Sequence, residues 1–190
     1  METNTKETNN SEVSQKKRKS KRIPKSLRPE EFKALIKVIP DKDKFSKISF
    51  LLGYASGLRI SEVLRVKKEN FLSDGFIFVE ESKYGVERKV PKPKGWRDEF
   101  FKYLPLQGKL SISSGSRKLQ RKFKKYSKKA KLDLRYTFHS LRHGFATRCL
   151  ESGIPLNQVQ VLLGHSNIST TSVYVKANPL DALKSYEELF

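Results

Sequence analysis

Cysteine and long apolar segments are almost absent from this sequence. Cys149 is the only cysteine among 190 residues, so the chain cannot form an internal disulfide, and a reducing compartment is the simplest interpretation. No apolar run reaches the roughly 18 residues that a membrane-spanning helix needs, and the N-terminus has no hydrophobic signal-peptide core. The sequence therefore predicts a soluble, cytoplasmic protein with no membrane partner.

Acidic residues are also scarce relative to basic ones. The chain has 40 Lys and Arg against 20 Asp and Glu, which gives a formal net charge of +20. Only a small part of this excess lies in the first 26 residues, so the remainder of the chain is itself strongly basic. Such a charge concentrates polyanions at the protein surface, and nucleic acid is the partner that we expect.

The length of 190 residues fits one domain with a substantial core and a short appendage. Residues 1–25 are rich in Asn, Thr, Ser, Glu and Lys, which is the composition of a disordered arm. The basic cluster in this arm could be a nuclear import signal, but we favour a flexible arm that binds DNA phosphates. The candidate contacts in the arm are Lys16, Lys17, Arg18 and Lys19.

Apolar residues recur at helical spacing along most of residues 26–190, with one interruption. At 75–80 and 86–90 the pattern predicts two short strands joined as a hairpin. The same spacing predicts one helix that begins at Pro29 and a short one that begins just after Gly57. Seven further helices are expected, at 44–55, 97–104, 116–132, 138–151, 155–163, 169–175 and 179–189. The expected fold class is mainly α with a small antiparallel β-hairpin (α+β).

The segment 116–132 combines a narrow apolar stripe with a strongly basic face. Nine of the 15 residues from 117 to 131 are basic. A solvated charged face is the simplest interpretation of such a run, but its single sign favours contact with a DNA backbone. The candidate contacts are Arg117, Arg121, Lys124, Lys125 and Lys128.

A short motif near the C-terminus brings together side chains that can bind a phosphate. In the run His139-Ser140-Leu141-Arg142-His143, residues three and four apart are neighbours on a helix, so both histidines and the arginine share one face. His165 and Tyr174 follow this run, and Arg59 lies far upstream in Gly57-Leu58-Arg59-Ile60-Ser61-Glu62.

These residue types are the ones that metal-independent attack on a phosphodiester requires. Guanidinium groups stay charged and donate in a planar fork, so Arg59 and Arg142 are candidates to stabilise negative charge on the nonbridging oxygens. Lys83 is a candidate proton donor to the leaving 5′ oxygen, although three further lysines follow it closely in sequence. The phenol of Tyr174 is a candidate nucleophile, which would hold the strand as a covalent phosphodiester.

In their order along the chain, these residues resemble the tyrosine recombinases, also called the phage integrase family. The family pattern of Arg, Lys, His-x-x-Arg, His and Tyr matches Arg59, Lys83, His139, Arg142, His165 and Tyr174. The flanking runs Leu162-Leu163-Gly164-His165 and Thr170-Thr171-Ser172-Val173-Tyr174 are similar to the last two family motifs. The resemblance covers the chain from about Pro29 to Phe190 and extends to the short integrases of archaeal mobile elements.

The resemblance implies a tyrosine-type DNA strand transferase that acts in recombination or integration of double-stranded DNA. Tyr174 would attack the scissile phosphate, form a 3′-phosphotyrosyl link and release a 5′-hydroxyl that attacks a partner strand. By the same analogy, His139 assists proton transfer from Tyr174, His165 hydrogen-bonds the phosphate, and Glu62 orients Arg59. No cofactor or metal is implied.

The resemblance also carries expectations about assembly and domains. Recombinases of the family work as dimers or tetramers on DNA, and in this chain the helix at 179–189 would dock on a neighbouring subunit. The protein would then be associated with the DNA of the nucleoid. Familiar members carry a separate helical domain before the catalytic one. In this chain only the arm at 1–25 precedes residues 26–190, which are therefore expected to be a catalytic domain with no separate N-terminal domain.

Three other interpretations stay open from the residues. His139 and His143 could bind zinc, although position 140 is Ser and the glutamate of the metalloprotease pattern is missing. The segment 155–176 could be the helix-turn-helix of a non-catalytic DNA-binding regulator. A type IB topoisomerase-like nicking and closing enzyme would use the same residues as a monomer.

Overall fold

The computed structural model describes residues 25–80, 87–164, 183 and 186–188. This part of the chain contains six α-helices and one two-stranded sheet: α1 (Pro29–Lys37), α2 (Lys44–Ala55), α3 (Ile60–Arg65), β1 (Phe76–Val79), β2 (Arg88–Pro91), α4 (Ile112–Lys129), α5 (His139–Glu151) and α6 (Leu156–Leu163). Two 3₁₀ segments, Lys68–Asn70 and Asp98–Tyr103, complete the regular structure of these residues. The predicted class, mainly α with an antiparallel hairpin, is confirmed. None of the described helices is long and apolar enough to cross a bilayer.

Local chemistry explains where several helices begin and end. Pro29 occupies the first turn of α1, where a missing N–H costs nothing, and the Glu31 carboxylate accepts a hydrogen bond from the Arg28 backbone N–H at 2.9 Å. Helix α6 ends at Leu163 and is capped by Gly164, whose φ of 60° lies in the left-handed region that glycine adopts without strain. The predicted bounds of α2, 44–55, are confirmed.

Two sequence-based helix predictions were wrong in detail. Helix α4 begins four residues before the predicted start at Ser116, because the Ser111 hydroxyl caps it by accepting from the Ser114 backbone N–H at 3.2 Å. It ends at Lys129, before Lys131 adopts a left-handed φ of 55°. The helix predicted at 97–104 is a 3₁₀ segment instead, since Leu104 precedes a proline and is extended.

The hairpin is short and antiparallel. Its register pairs Phe76 with Pro91, Ile77 with Val90 and Val79 with Arg88. Side chains alternate between the two faces of a strand, so Arg88 and Val90 lie on one face of β2. Both are almost fully buried.

Helix α2 is the centre of the main core, because it contacts α1, α3, α4 and α5. Phe50 of α2 is fully buried and packs edge-on against Phe123 of α4 and Phe138 at the start of α5. These contacts fix α4 and α5 relative to each other. The two helices that carry most of the candidate functional residues are therefore held by one shared aromatic cluster.

A second, smaller apolar cluster lies between α5 and α6. It contains Phe145 and Cys149 of α5 with Val159 and Leu162 of α6, and Leu183 packs against it with 4% of its surface exposed. The Tyr186 ring stacks on Phe145 with 5.9 Å between centroids. The helix predicted at 169–175 and most of the one predicted at 179–189 lie outside the described residues.

Asp43 joins the start of α2 to α4. Its carboxylate caps α2 by accepting from the Ser46 backbone N–H at 3.2 Å, and it also accepts from Lys122 Nζ and the Tyr126 hydroxyl, both at 2.6 Å. Burial raises the pKa of Asp43, but the hydrogen bonds from Lys122 and Tyr126 outweigh it and lower the pKa to about 2.

We predict that Asp43→Ala lowers the free energy of unfolding by about 1–3 kcal/mol near neutral pH, because it removes a helix cap and leaves two donors of α4 unpaired. The folded pKa lies below the ordinary value of 3.8, so this stabilisation is complete above about pH 4 and is lost as the pH falls towards about 2. Urea unfolding of the wild type and the variant near neutral pH and at about pH 2 measures this. The difference between their free energies of unfolding should be smaller at the acidic pH.

Asp41→Ala is the matched control, because the Asp41 side chain is 93% exposed and pairs with Lys47 at the surface. We expect no measurable loss of stability from it. Equal losses in the two variants would contradict the role assigned to Asp43.

Candidate active site

Arg59 stands at the start of α3, directly after a tight turn at Gly57. Gly57 has a φ of 66°, and a Cβ there would lie 2.6 Å from the Phe145 ring, so no other residue fits this turn without strain. The Arg59 guanidinium donates from Nη1 to Glu62 Oε1 at 3.0 Å and from Nη2 to the Gly164 carbonyl at 2.6 Å. Its side chain keeps 24% of its surface exposed, so Arg59 remains partly accessible from solvent.

Arg142 approaches the same place from the first turn of α5. It donates from Nη1 to the Gly57 carbonyl at 2.8 Å and from Nη2 to the Leu163 carbonyl at 2.5 Å, and Nη1 lies 3.9 Å from Glu62 Oε2. Burial, followed by the charge of Arg59, lowers the pKa of Arg142 to about 9, which leaves the group charged at neutral pH. The structure therefore brings Arg59 and Arg142 together, as the sequence predicts.

Glu62 is the carboxylate that these arginines share. Its oxygen Oε2 accepts from the Arg59 backbone N–H at 2.7 Å while Oε1 accepts from the Arg59 side chain, so Glu62 fixes both parts of that residue. Burial raises the pKa of Glu62, but the hydrogen bonds and charge of Arg88, with the charge of Arg142, lower it by more. The contact expected from the resemblance, in which Glu62 orients Arg59, is present.

Arg88 on β2 was missed by the sequence analysis. Its two terminal nitrogens donate to the two oxygens of Glu62 at 3.0 and 2.8 Å, and its Nε donates to the Leu162 carbonyl at 2.8 Å. Only 3% of its side chain is exposed. The signal that could have found it is its place in the predicted strand, on the same face as Val90, because an arginine on an apolar strand face needs a buried partner.

The end of α6 binds all three arginines through consecutive backbone carbonyls. Leu162 accepts from Arg88, Leu163 from Arg142 and Gly164 from Arg59. The last carbonyls of a helix have no partner within the helix and carry its negative dipole end, so they suit cations. Three guanidinium groups around one carboxylate leave a formal charge of +2, which attracts an oxyanion.

The two described histidines, His139 and His143, lie one helical turn apart on α5. Burial, then the charges of Arg142 and Arg59, lowers the pKa of His139, so its imidazole is neutral at pH 7 and able to accept a proton. Burial and the neighbouring His139 lower the pKa of His143 as well. Among the described residues no group of three or more His, Cys, Asp or Glu could hold a metal ion.

A cleft leads from His139 to the basic face of α4. It has a volume of about 370 Å³, and Ile60, Phe123 and Leu134 form part of its apolar lining. Gln120 and Lys124 line this cleft and also the adjoining one, which continues along α4 past Arg117 and Arg121. The candidate DNA contacts on α4, namely Arg117, Arg121, Lys124, Lys125 and Lys128, are all exposed.

Several predicted site residues lie outside the described residues: Lys83, His165, Tyr174 and the arm residues Lys16, Lys17, Arg18 and Lys19. Lys83 falls in the connection between β1 and β2, and His165 directly follows Gly164 in sequence. Lys89, one of the lysines close to Lys83, pairs with Asp74 at 2.8 Å on the other face of β2 from Arg88.

Comparison with known proteins places this geometry in a family. The model of the phage integrase family matches residues 25–180. The chain belongs to the phage integrase family. One curated relative is the tyrosine recombinase XerA of Thermococcus kodakarensis. It is 37% identical to this chain over 179 residues, which cover 87% of this chain and 63% of XerA. The chain thus spans less than two thirds of the length of this relative.

Solved structures share the fold of this integrase-family chain. A crystal structure of XerA recombinase superposes with a TM-score of 0.58 at 24% identity, covering 87% of this chain and 65% of that one. A λ integrase tetramer bound to a Holliday junction superposes with a TM-score of 0.55 at 21% identity, covering 83% and 52%. The fold prediction is confirmed by these matches.

We predict that Arg142→Met raises the pKa of His139 towards its ordinary value of 6.5, because one of the two guanidinium charges that lower it is removed while burial persists. An NMR titration of the imidazole signals measures this directly, since the chain has only three histidines.

Arg148→Met is the control, because Arg148 lies on α5 about 13 Å along the helix from His139. It should leave the His139 titration unchanged. A His139 pKa that is ordinary in the wild type, or that ignores the loss of Arg142, would contradict the assigned electrostatics.

Proposed function

We propose that this chain cleaves and rejoins DNA strands through a 3′-phosphotyrosyl intermediate and that its reaction is site-specific recombination. The observation that carries the proposal is the pair Arg59 and Arg142, held around one carboxylate, with His139 one helical turn from Arg142, in a member of the phage integrase family. Two fixed guanidiniums with excess positive charge suit the extra negative charge that develops on the nonbridging oxygens in the transition state.

The chemistry that we propose balances without a metal or cofactor. The Tyr174 oxygen attacks the scissile phosphorus, the bond from phosphorus to the 5′ oxygen breaks, and a 3′-phosphotyrosyl link replaces it. His139 accepts the phenol proton, and Lys83 donates a proton to the leaving 5′ oxygen. His165 hydrogen-bonds the phosphate. Attack of a 5′-hydroxyl from a partner strand then reverses these steps and restores a phosphodiester.

We further propose that residues 26–190 act as the catalytic domain and that the basic face of α4 binds the phosphates of the DNA duplex on either side of the reacting one. The support is the pair of adjoining clefts that runs from His139 along α4. The arm at 1–25 would add further phosphate contacts. Each neutralised phosphate releases a counterion, so the affinity should depend steeply on salt.

Recombination needs several subunits on DNA, and we propose that this chain acts as a dimer or tetramer there. A structural neighbour is a λ integrase tetramer bound to a Holliday junction, which supports assembly on DNA. The helix expected at 179–189 is our candidate for docking on a neighbour. In this chain Leu183 and Tyr186 pack against α5 of the same subunit. In the oligomer that we propose, two subunits exchange this segment, so that each packs it against α5 of its neighbour.

We predict that Tyr174→Phe abolishes the covalent protein–DNA adduct on a suicide substrate, a nicked duplex that loses its 5′-hydroxyl fragment after cleavage, while DNA affinity stays within about threefold. Arg59→Ala and Arg142→Ala should each slow adduct formation by at least about 10²-fold, as expected for the loss of a transition-state donor. Denaturing gels measure the adduct.

Tyr103→Phe is the matched control, since Tyr103 is an exposed tyrosine, with 45% of its surface accessible, outside the site. It should form the adduct at the wild-type rate. An adduct that persists in Tyr174→Phe would show that Tyr174 is not the nucleophile. A wild type that binds DNA but forms no adduct would favour the alternative of a non-catalytic DNA-binding regulator. The topoisomerase-like alternative predicts an adduct but no exchange of strands between two sites.

We predict that replacing Arg117, Arg121 and Lys124 by Gln weakens DNA binding and reduces the slope of log affinity against log salt by about 0.9 for each phosphate that the protein no longer neutralises. Fluorescence anisotropy with a labelled duplex at several salt concentrations measures both. Replacing Lys33, Lys37 and Lys102 by Gln makes the same change in net charge on other exposed surfaces. Equal slopes in the two triple variants would show that net charge, and not α4, determines binding.

A further inference from the structure

Arg88 occupies a position that the proposed reaction does not explain. Its side chain is almost completely shielded from solvent, and all three of its donor nitrogens are used inside the protein. Stability alone does not explain an arginine at this position, because apolar residues can often replace a buried ion pair without loss of folding stability. What an apolar residue could not reproduce is the direction of these three hydrogen bonds.

The fork of Arg88 ties two separate parts of the site to one point. Its terminal nitrogens hold both oxygens of Glu62 on α3, and its Nε holds the Leu162 carbonyl at the end of α6. Gly164 packs directly on the fork, since a Cβ there would lie 2.9 Å from Arg88 Nη1 and 3.1 Å from its Cζ. The end of α6 therefore lies directly against this side chain.

Charge gives the second reason to assign Arg88 a role. Glu62 carries one negative charge, and a carboxylate paired only with Arg59 and Arg142 would neutralise half of the positive charge that they offer to a phosphate. Arg88 donates to both oxygens of Glu62, at 3.0 and 2.8 Å, whereas Arg142 lies 3.9 Å from the carboxylate and Arg59 donates to it from a single side-chain nitrogen. The charge of both remains available to a ligand.

We infer that Arg88 is a positioning residue for strand cleavage: it offsets the charge of Glu62 and holds the end of α6, so that Arg59 and Arg142 are oriented towards the scissile phosphate and keep a net positive charge. This inference rests on the proposed function. Arg88 acts through its neighbours and does not touch the DNA.

The test is single-turnover cleavage of a suicide duplex at saturating protein. Arg88→Met should slow cleavage by about 10²-fold while the Kd for DNA changes by less than about threefold. We take this size from metal sites, where losing a group that orients a ligand costs about 10–100-fold, since Arg88 orients its neighbours in the same way. Arg88→Lys, which keeps the charge but not the fork, should recover part of the rate. Rates within about threefold of wild type for Arg88→Met would overturn the inference.

A second substrate separates positioning from general damage. When a methyl group replaces one nonbridging oxygen of the scissile phosphate, less negative charge develops, so the defect of Arg88→Met should shrink to under about tenfold. A misfolded fraction would lower both rates equally. Combining Arg88→Met with Glu62→Gln should cost no more than the slower single variant, because both changes break one unit. Equal defects on both substrates, or fully additive losses, would contradict the role.

Controls distinguish a failure of the Arg88 inference from a failure of the proposed strand-transfer function. Arg148→Met removes a part-buried arginine that donates to the Tyr54 carbonyl away from the site, and it should cleave at the wild-type rate. A wild type that forms no adduct would defeat the proposed function itself, whereas a normal wild type with a normal Arg88→Met would defeat only the inference. If Arg88→Met does not fold, as shown by circular dichroism, the Arg88→Lys variant and the two substrates carry the test.

Discussion

The site depends on one buried carboxylate, Glu62, and on the three carbonyls at the end of α6. Each arginine around Glu62 also donates to one of these carbonyls, so charge and hydrogen bonding are satisfied together. A buried cation without such partners would be costly. The arrangement therefore exists only when α3, β2, α5 and α6 are all in place, and the site forms as a consequence of the complete fold.

The scaffold explains why these elements meet. Helix α2 contacts α1, α3, α4 and α5, and the aromatic cluster of Phe50, Phe123 and Phe138 links the basic helix to the helix that carries His139 and Arg142. Gly57 lets α3 approach Phe145 closely enough for Arg59 to reach α6. Packing in the core thus sets the distances between polar groups at the surface.

The sequence predicted what short-range patterns can predict. Periodicity predicted α2, α5 and α6 to within a residue or so, and motif order made Arg59, His139 and Arg142 candidates, of which the structure brings Arg59 and Arg142 around Glu62. It misplaced the start of α4, which a serine cap decides, and the 3₁₀ segment before Pro105. It missed Arg88 because that role comes from contacts with Glu62 and Leu162, which are 26 and 74 residues away in sequence. Such pairings follow from tertiary packing, which periodicity does not encode.

The central claim is that Arg59 and Arg142 serve one phosphate, with Glu62 behind them. A crystal structure of the chain bound to a duplex that carries its scissile phosphate tests it most directly. We expect both guanidiniums to donate to nonbridging oxygens of a single phosphate, the Tyr174 oxygen to face the same phosphorus, and Arg88 still to bind Glu62. Guanidiniums bound to different phosphates, or a Tyr174 oxygen that reaches that phosphorus from no subunit, would contradict it.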